Sequence, residues 1–290
     1  MNAPFKTPAK TPAPATPDAY AALREEYTAC PVCTGTNRRA LGAANTTGYL
    51  NWHDKLPPTL EWMACEDCGH VHTRHYWTAE GLAQVFAKSH AGQVAGGDPD
   101  QKRQIWKAVP QNAMKLLGGY HAVMSGVEPT WLDVGCGDGA LVMTASEFGF
   151  AALGIDARTE PVEALQALGY AAGRSDFMAA RFENPVNVIS MFDVLEHMPF
   201  PRDALDHAHA TLADNGLLII SLPNMDSSSW RLMDQASGNP YWMEIEHHHN
   251  FTRASLAKLL AAHGFRVEMF DIPLRYKAQM ELYARKIDKT

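Results

Sequence analysis

The sequence has no long hydrophobic run. Its most apolar stretches, such as Gly216–Ile220, are far shorter than the roughly 20 residues that a helix needs to cross a bilayer. No charged-then-apolar leader opens the chain, since its first residues are mostly Ala, Pro and Thr. We therefore expect no membrane-spanning segment and a cytoplasmic location.

Basic residues are also few. The chain has 25 Lys and Arg against 32 Asp and Glu, so its formal net charge is −7, and no Lys/Arg-rich cluster stands out. Proteins that bind nucleic acids usually carry a basic stripe that displaces counterions from the phosphates. We therefore do not expect a nucleic-acid partner.

Cysteine is scarce, but its spacing is informative. The five cysteines are Cys30, Cys33, Cys65, Cys68 and Cys136. Four of them form two C-x-x-C pairs, which in a cytosolic protein favour a metal over disulfides, and two such turns can wrap one tetrahedral zinc ion. Four thiolates close the site, so the zinc would be structural. The 31 residues between the pairs imply an inserted hairpin around Tyr49–Met63.

Composition divides the chain into three parts. Residues 1–20 are rich in Pro, Ala and Thr and are predicted to be a disordered tail. Residues 21–95 form the predicted zinc-binding module with a linking helix. A Gly/Asp/Pro linker at Gly96–Pro99 then leads into a larger domain over 100–290.

Strand and helix patterns alternate in this larger domain. The predicted strands are Trp131–Val134, Ala152–Ile155, Val186–Met191, Leu217–Ser221, Phe265–Phe270 and Gln279–Ala284. The predicted helices are Ala140–Phe148, Pro161–Leu168, Pro201–Leu212 and Arg253–His263, preceded by one over Gln101–Met124 that Pro110 should interrupt. The alternation indicates an α/β fold with a mostly parallel sheet and helices on both faces.

A glycine-rich turn follows the first of these strands. The segment Asp133–Gly139 reads D-V-G-C-G-D-G and also fits the dinucleotide fingerprint, so the glycines alone are ambiguous. Asp133 and Asp138 would repel a pyrophosphate, whereas the ammonium and sulfonium of S-adenosylmethionine (SAM) tolerate carboxylates. Asp156 ends the next strand, 23 residues after Asp133. An acidic residue at this distance from the turn can accept hydrogen bonds from both ribose hydroxyls of a bound cosubstrate. These features favour SAM.

Residues 131–284 resemble a class I SAM-dependent methyltransferase of the small-molecule type. The resemblance rests on the glycine-rich turn, Asp156, the segment Gly173–Phe177 and the D-V-L-E-H motif within Phe192–His197. It implies a Rossmann-like seven-stranded sheet with an antiparallel last strand, preceded here by a zinc-ribbon-like module. The residues that the resemblance and the turn assign to SAM are Asp133, Gly135, Cys136, Gly137, Asp156, Ala157, Asp176, Phe177, Phe192 and Asp193.

Histidines and aromatic residues are candidates for the acceptor side. His197 follows the predicted strand Val186–Met191 and could act as a base, or could only position its loop. His247 and His249 lie in a run of three histidines that cannot all face one pocket, and adjacent histidines lack the spacing of a helical ligand pair. The candidates for apolar walls around a ring-shaped substrate are Trp230, Tyr241 and Trp242, which could equally be packing residues.

The sequence therefore predicts methyl transfer from SAM to a small-molecule acceptor, at a hydroxyl of a sugar-like or natural-product substrate. The zinc module would shape one wall of the acceptor site or form a homodimer contact. Three alternatives stay open: a ribosomal RNA methyltransferase with a zinc ribbon, an NAD-type oxidoreductase, and a non-catalytic scaffold.

Overall fold

The computed structural model describes residues 20–86, 99–119, 126, 128–275 and 278–288. All but the last residue of the predicted tail, and most of the predicted linker, therefore lie outside the described residues. The chain divides into two compact units. Unit 1 comprises Met1–Ala91, Glu196–Pro201 and Pro223–Leu259, and unit 2 comprises Gly92–Leu195, Arg202–Leu222 and Leu260–Thr290. The domain boundaries expected from composition stay a prediction, and each unit is described here by itself.

The strands and helices are numbered in chain order. The strands are β1 (Arg24–Glu26), β2 (Arg38–Asn45), β3 (Thr59–Cys65), β4 (Val71–Thr73), β5 (His75–Trp77), β6 (Thr130–Val134), β7 (Ala151–Asp156), β8 (Ala171–Arg174), β9 (Val186–Phe192), β10 (Leu212–Pro223), β11 (His249–Asn250), β12 (Phe265–Asp271) and β13 (Gln279–Lys286). The helices are α1 (Ala79–Phe86), α2 (Pro99–Trp106), α3 (Ala108–Leu116), α4 (Ala140–Glu147), α5 (Thr159–Ala167), α6 (Pro201–Thr211), α7 (Ser228–Gln235) and α8 (Arg253–Ala262). In the described part of the chain, no helix has the length and apolar character needed to cross a membrane.

Unit 1 is built on small antiparallel sheets. One has the strand order β11-β4-β3-β2, and β1 pairs with β5 in a second. The predicted hairpin is present, but its strands are β2 and β3, so Tyr49 lies in the connection instead of in a strand. Thr46 ties the ends of that connection together, because its N–H donates to the Pro58 carbonyl and its hydroxyl donates to the Pro57 carbonyl. The two prolines have no N–H and cannot donate to a neighbouring strand.

Unit 2 contains the predicted seven-stranded sheet. Its strand order is β12-β13-β10-β9-β6-β7-β8. The pairs β6–β7, β6–β9, β7–β8 and β9–β10 are parallel, and β12 pairs antiparallel with β13, so the predicted Rossmann-like fold is confirmed. β8 was not predicted from the sequence. Its short Ala-Ala-Gly-Arg stretch lies at the sheet edge, half-exposed, and carries no apolar pattern to reveal it.

The central strands of unit 2 are buried on both faces. Leu217–Ile220 in β10 is fully enclosed, as continuous apolar runs in a parallel sheet should be. Polar side chains also link neighbouring strands. The Asn187 side-chain oxygen accepts from the Thr130 N–H at 2.9 Å, and the Trp131 indole donates to the Ser190 hydroxyl at 2.8 Å. These bonds join β6 to β9.

Pro110 does not mark the helix break that its position in the sequence suggested. The break falls at Lys107, between α2 and α3, and Pro110 is the third residue of α3. A proline in the first helical turn removes an N–H that has no partner within the helix, so it is tolerated there.

The turn into α4 depends on a residue without a side chain. Gly139 has φ +74°, and a Cβ there would lie 2.4 Å from Cδ1 of Leu165. We expect Gly139→Ala to lower the free energy of unfolding by about 1–3 kcal/mol, through left-handed backbone strain and overpacking. Gly173→Ala is the matched control in the same unit, because nothing lies within 4 Å of its added Cβ. Equal stability of the two variants in urea unfolding would contradict this expectation.

Candidate functional site

The glycine-rich turn of unit 2 is held by two bonds to one carbonyl. The N–H groups of Gly135 and Cys136 both donate to the Ile155 carbonyl, at 2.8 and 3.0 Å. Gly135 has φ +68°, and a Cβ there would lie 2.7 Å from the Val194 side chain. Cys136 is buried and packs against Gly154, whose missing side chain makes room for the sulfur. Because Gly135 has no side chain, the turn therefore places bare backbone atoms at the carboxyl end of β6.

Asp133 is buried directly before this turn. Its carboxylate accepts a hydrogen bond from the Ser190 hydroxyl at 2.6 Å. Burial raises the pKa of Asp133 to about 7, and the neighbouring carboxylates of Asp138 and Asp156 raise it as well, while the Ser190 hydrogen bond opposes them. A carboxyl group in this state gains from a cation close by. Asp133 thus has the electrostatic character expected of a residue near a positively charged ligand.

Asp156 at the end of β7 has a different environment. Its carboxylate accepts from the Gly137 N–H at 3.1 Å and from Arg158, whose side chain lies 2.8 Å away in an ion pair. Burial by itself would raise the pKa of Asp156, but the hydrogen bonds and charge of Arg158 and the Gly137 N–H lower it. Asp156 is therefore a charged acceptor that already touches the glycine-rich turn, and Arg158 is a partner that the sequence analysis missed.

Asp138 lies in the turn itself. One carboxylate oxygen accepts from the Ala140 N–H at 3.0 Å and so caps the start of α4, and the other lies 2.5 Å from the Lys102 ammonium of α2. The two aspartates Asp133 and Asp138 therefore have different partners. Asp138 is held by an ion pair with Lys102 and a hydrogen bond at the start of α4, whereas among the described residues no ion pair is found for Asp133.

Phe192 ends β9 and Asp193 follows it directly, beside an arginine whose side chain is buried. The guanidinium of Arg275 lies over the rings of Trp106 and Phe192, 4.3 and 4.6 Å from their centres. Asp193 has φ +54° and accepts a short hydrogen bond from Gln279. Burial raises the pKa of Asp193 to about 7, against the opposing charge of Arg275. Arg275 and Gln279 stand far from any motif in the sequence and were not predicted.

The remaining predicted SAM residues lie along the next two strand ends. The Ala157 carbonyl accepts from Arg174 at 3.2 Å. Asp176 is exposed and accepts from the Met178 N–H at 2.7 Å, and Phe177 is buried with its ring 4.7 Å from that of His207. All ten predicted SAM residues thus lie in unit 2, and their roles stay predictions.

The four paired cysteines of unit 1 converge. The Cys30 and Cys68 sulfurs are 3.8 Å apart, the Cys33 and Cys65 sulfurs are 3.5 Å apart, and all four lie within 4.8 Å of one another. Zn–S bonds of about 2.3 Å in a tetrahedron place the sulfurs about 3.8 Å apart, so the cluster has the dimensions of a zinc site. Burial raises the pKa of Cys30 to about 12, so this thiol requires a bound cation to become a thiolate near neutral pH.

The predicted catalytic histidines also lie in unit 1, in two different settings. His197 is half-buried, with Nδ1 3.1 Å from the Glu246 carbonyl, and its ring meets that of His247 edge-on at 4.7 Å. Burial, followed by the neighbouring His197 and His248, lowers the pKa of His247. His249 is buried with both ring nitrogens bonded, to His70 at 3.2 Å and to the Met198 carbonyl at 2.9 Å. His197 and His247 therefore form a pair that His249 does not join.

The predicted aromatic walls form one cluster in unit 1. Trp230 stacks on Tyr241 at 5.0 Å and meets Trp242 edge-on at 5.5 Å. Trp230 and Trp242 are buried, and the Trp242 indole donates to Asp234 at 2.7 Å. Tyr241 is half-buried, which makes it the member with most surface left for a ligand.

Several residues near His197 were missed in the sequence. Glu196 belongs to the D-V-L-E-H motif but was not singled out, and Glu244 lies 3.0 Å from the His247 ring nitrogen. The spacing Glu244-x-Glu246-His247 was visible as an acidic stretch before the histidines. No periodicity, however, indicated that His247 would meet Glu196.

Comparison with protein families gives one match over more than half of the chain. The family is described as "Methyltransferase domain", and the match spans residues 102–269. Among curated proteins, the ubiquinone biosynthesis O-methyltransferase of Erwinia tasmaniensis is 30% identical over 107 residues, which is 34% of this chain and 44% of that protein. The match thus spans under half the length of this relative.

Of two solved methyltransferase structures, the one with the higher TM-score supports the likeness in fold. A plantazolicin methyltransferase, solved with a substrate analogue and S-adenosylhomocysteine, superposes with a TM-score of 0.53 and 13% identity, covering 71% of this chain and 94% of that one. A magnesium protoporphyrin IX methyltransferase from Synechocystis gives a TM-score of 0.49 and 16% identity, over 72% of this chain and 95% of that one. At such identities the likeness concerns the fold alone.

The raised pKa of Asp133 has a consequence for stability. The folded chain holds this proton up to a pH of about 7, whereas the unfolded chain releases it near 3.8, so this carboxyl makes stability fall as pH rises between those values. We expect Asp133→Asn to reduce that fall by roughly 1–3 kcal/mol, measured as the free energy of unfolding in urea at pH 4.5 and 7.

A second variant should act in the opposite sense. Ser190→Ala removes a hydrogen bond that favours the charged form of Asp133, so the fall in stability with pH should become steeper. An Asp133→Asn protein whose stability changes with pH as steeply as the wild type would contradict the assignment.

Proposed function

Because this chain belongs to the family of methyltransferase domains, we propose that it transfers a methyl group from SAM to a small-molecule acceptor. The observation that supports this most is the pair of carboxylates around the glycine-rich turn. Asp133 is buried with a raised pKa and no ion pair in the turn, and Asp156 is charged and bonded to Gly137. A sulfonium cosubstrate gains from the first, and a ribose diol finds an acceptor in the second.

The other predicted SAM residues take supporting roles in this proposal. Gly135 and Gly137 let the cosubstrate approach the backbone, and Cys136 fills the space above Gly154. Asp176 and Phe177 would flank the adenine, and Phe192 and Asp193 would border the methyl-transfer end of the cosubstrate. Arg158 now bonds to Asp156, so we propose that its guanidinium shifts when the ribose hydroxyls bind.

For the acceptor we propose a hydroxyl group of a sugar-like or natural-product molecule. The curated relative named above is an O-methyltransferase, which favours oxygen as the methylated atom. Attack on a sulfonium by a hydroxyl requires removal of its proton, and we assign that task to the cluster of His197 and His247. The Nδ1 contact of His197 with the Glu246 carbonyl leaves the lone pair of its neutral ring on Nε2, which suits this role. His249 would act only by supporting the segment, because both its nitrogens are bonded.

We propose zinc as the ion of the four-cysteine cluster, with a structural role. Four protein thiolates would complete its coordination and leave no position for a substrate. Binding energy at such a site adds directly to folding energy. A contribution of this module to the acceptor site or to a dimer contact stays a prediction.

The SAM assignment is testable at Asp156. We expect Asp156→Ala to weaken SAM binding by about 10-fold or more in calorimetry, because the ribose loses a charged acceptor. Glu160→Gln is the matched control, since this exposed carboxylate lies one turn further along in α5. The acceptor is sought by mass spectrometry of a metabolite pool incubated with the protein and deuterated-methyl SAM.

Three outcomes would count against this proposal. They are NAD binding without SAM binding, unchanged SAM affinity in Asp156→Ala, and SAM binding with no labelled product from any hydroxyl-bearing pool. The first would indicate an oxidoreductase and the third a scaffold.

The zinc assignment is testable through its thiolates. With Co²⁺ in place of zinc, we expect an intense thiolate-to-metal charge-transfer band that Cys68→Ser weakens, together with a lower melting temperature. Cys136→Ser is the matched control, because Cys136 is a buried free cysteine outside the cluster and should leave the band unchanged. A band that Cys68→Ser leaves intact would remove this cysteine from the site.

A further inference from the structure

Side chains of metal-binding type converge at a second place in unit 1. Glu196, His197 and His247 each bring one ligand atom to within 4.8 Å of the others. We propose that these three residues bind a divalent first-row transition metal ion, at a site separate from the four cysteines. Two imidazoles and one carboxylate are a donor set that zinc, iron and their neighbours take in proteins.

Backbone hydrogen bonds bring the two segments of the site together. Glu196 and His197 lie in a single 3₁₀ turn, and His247 lies just before β11. The N–H of His248 donates to the Glu196 carbonyl at 2.8 Å. β11 is in turn paired with β4. The three ligands are therefore held by the backbone of unit 1 before any ion binds.

The two imidazoles have the outer partners that orient metal-binding histidines. The Glu246 carbonyl can only accept, so Nδ1 of neutral His197 carries the hydrogen and Nε2 carries the lone pair. Nε2 of His247 lies 3.0 Å from the Glu244 carboxylate, which leaves the lone pair on Nδ1, a buried atom with no hydrogen-bond partner. A carbonyl behind one histidine and a carboxylate behind the other is the usual outer arrangement at metal sites.

Charge supports a cation at this place. Within the group Glu196 is fully buried, and the side chain of Glu244, which contacts His247, is 19% exposed. Burying carboxylates is costly unless positive charge accompanies them, and a divalent ion supplies two charges in a small volume. Neutral imidazoles beside these carboxylates would complete its coordination without adding further charge.

The site would keep open positions. Ligand atoms about 2.0–2.2 Å from one ion lie roughly 3–4 Å apart, so small side-chain rotations would close the group around it. Three protein ligands leave room for a water molecule or a ligand oxygen, unlike the cysteine cluster. With an ion bound, the lone pairs of both histidines would be occupied, so a hydroxyl on the ion would lose its proton to water instead of to a free imidazole. This use rests on the proposed function, whereas metal binding itself does not.

The experiment uses the full chain with its cysteine cluster first loaded with zinc. Co²⁺ is then titrated and followed by visible absorption and by metal analysis after desalting. We expect one further equivalent of Co²⁺ per chain, with weak ligand-field bands and no thiolate charge-transfer band. His197→Gln and His247→Gln should lose this equivalent while they retain the zinc. Retained zinc and an unchanged far-ultraviolet spectrum establish that each variant is folded.

Two further variants sharpen the test. Glu244→Gln keeps all three ligands but weakens the partner of His247, and we expect about 10- to 100-fold weaker Co²⁺ binding. His53→Gln is the control, because His53 is a half-buried histidine of unit 1 outside the group, bonded to the Gln84 carbonyl. Its affinity for Co²⁺ should match that of the wild type.

The proposal is overturned if zinc-loaded wild-type protein takes up no second equivalent, or if folded His197→Gln and His247→Gln proteins still take it up. SAM binding is measured on the same samples. A wild-type protein that binds SAM and methylates an acceptor but takes no second metal would refute the metal site alone. One that takes the metal but fails to bind SAM would refute only the proposed function.

Discussion

One carbonyl organises the carboxyl edge of the unit 2 sheet. The Ile155 oxygen accepts from two successive N–H groups, those of Gly135 and Cys136, and so ties the turn after β6 to the end of β7. Asp133 and Asp156 flank this tie, and the Gly137 N–H reaches the Asp156 carboxylate from the same turn. Parallel strands place their carboxyl ends at one edge. The electrostatics at this edge of the sheet therefore follow from a backbone arrangement that tolerates no side chain at Gly135.

Unit 1 depends on a comparable backbone tie between distant segments. The bond from the His248 N–H to the Glu196 carbonyl, with the pairing of β11 and β4, brings together residues far apart in the chain. Its consequence is a concentration of imidazoles and carboxylates away from water. Burial keeps His247 neutral, and neutral imidazoles beside buried carboxylates are the form in which histidine binds metals.

Much of the fold was predictable because its signals are local. The apolar runs of β6, β9 and β10 and the glycines after β6 could be recognised within short windows. β8 was not predicted because a short strand at the exposed edge of the sheet carries no apolar pattern. The helix break at Lys107 was not predicted because Pro110 fits the first turn of α3 and therefore does not break the helix. The cysteine pairs were recognised by spacing. Arg275 and Gln279 could not be, since they reach Asp193 only through the pairing of β13 into the sheet.

The sequence by itself determined the class of the fold, the glycine-rich turn, the acidic residues beside it and the four thiolates. Each of these features depends on residues close together in the sequence, so local stereochemistry and charge are enough to recognise it. Only the tertiary structure decided which histidines pair with which carboxylates. Glu196 is separated from Glu244 and His247 by about fifty residues of chain. Their meeting depends on backbone hydrogen bonds between segments and on burial, and neither can be read from a local pattern.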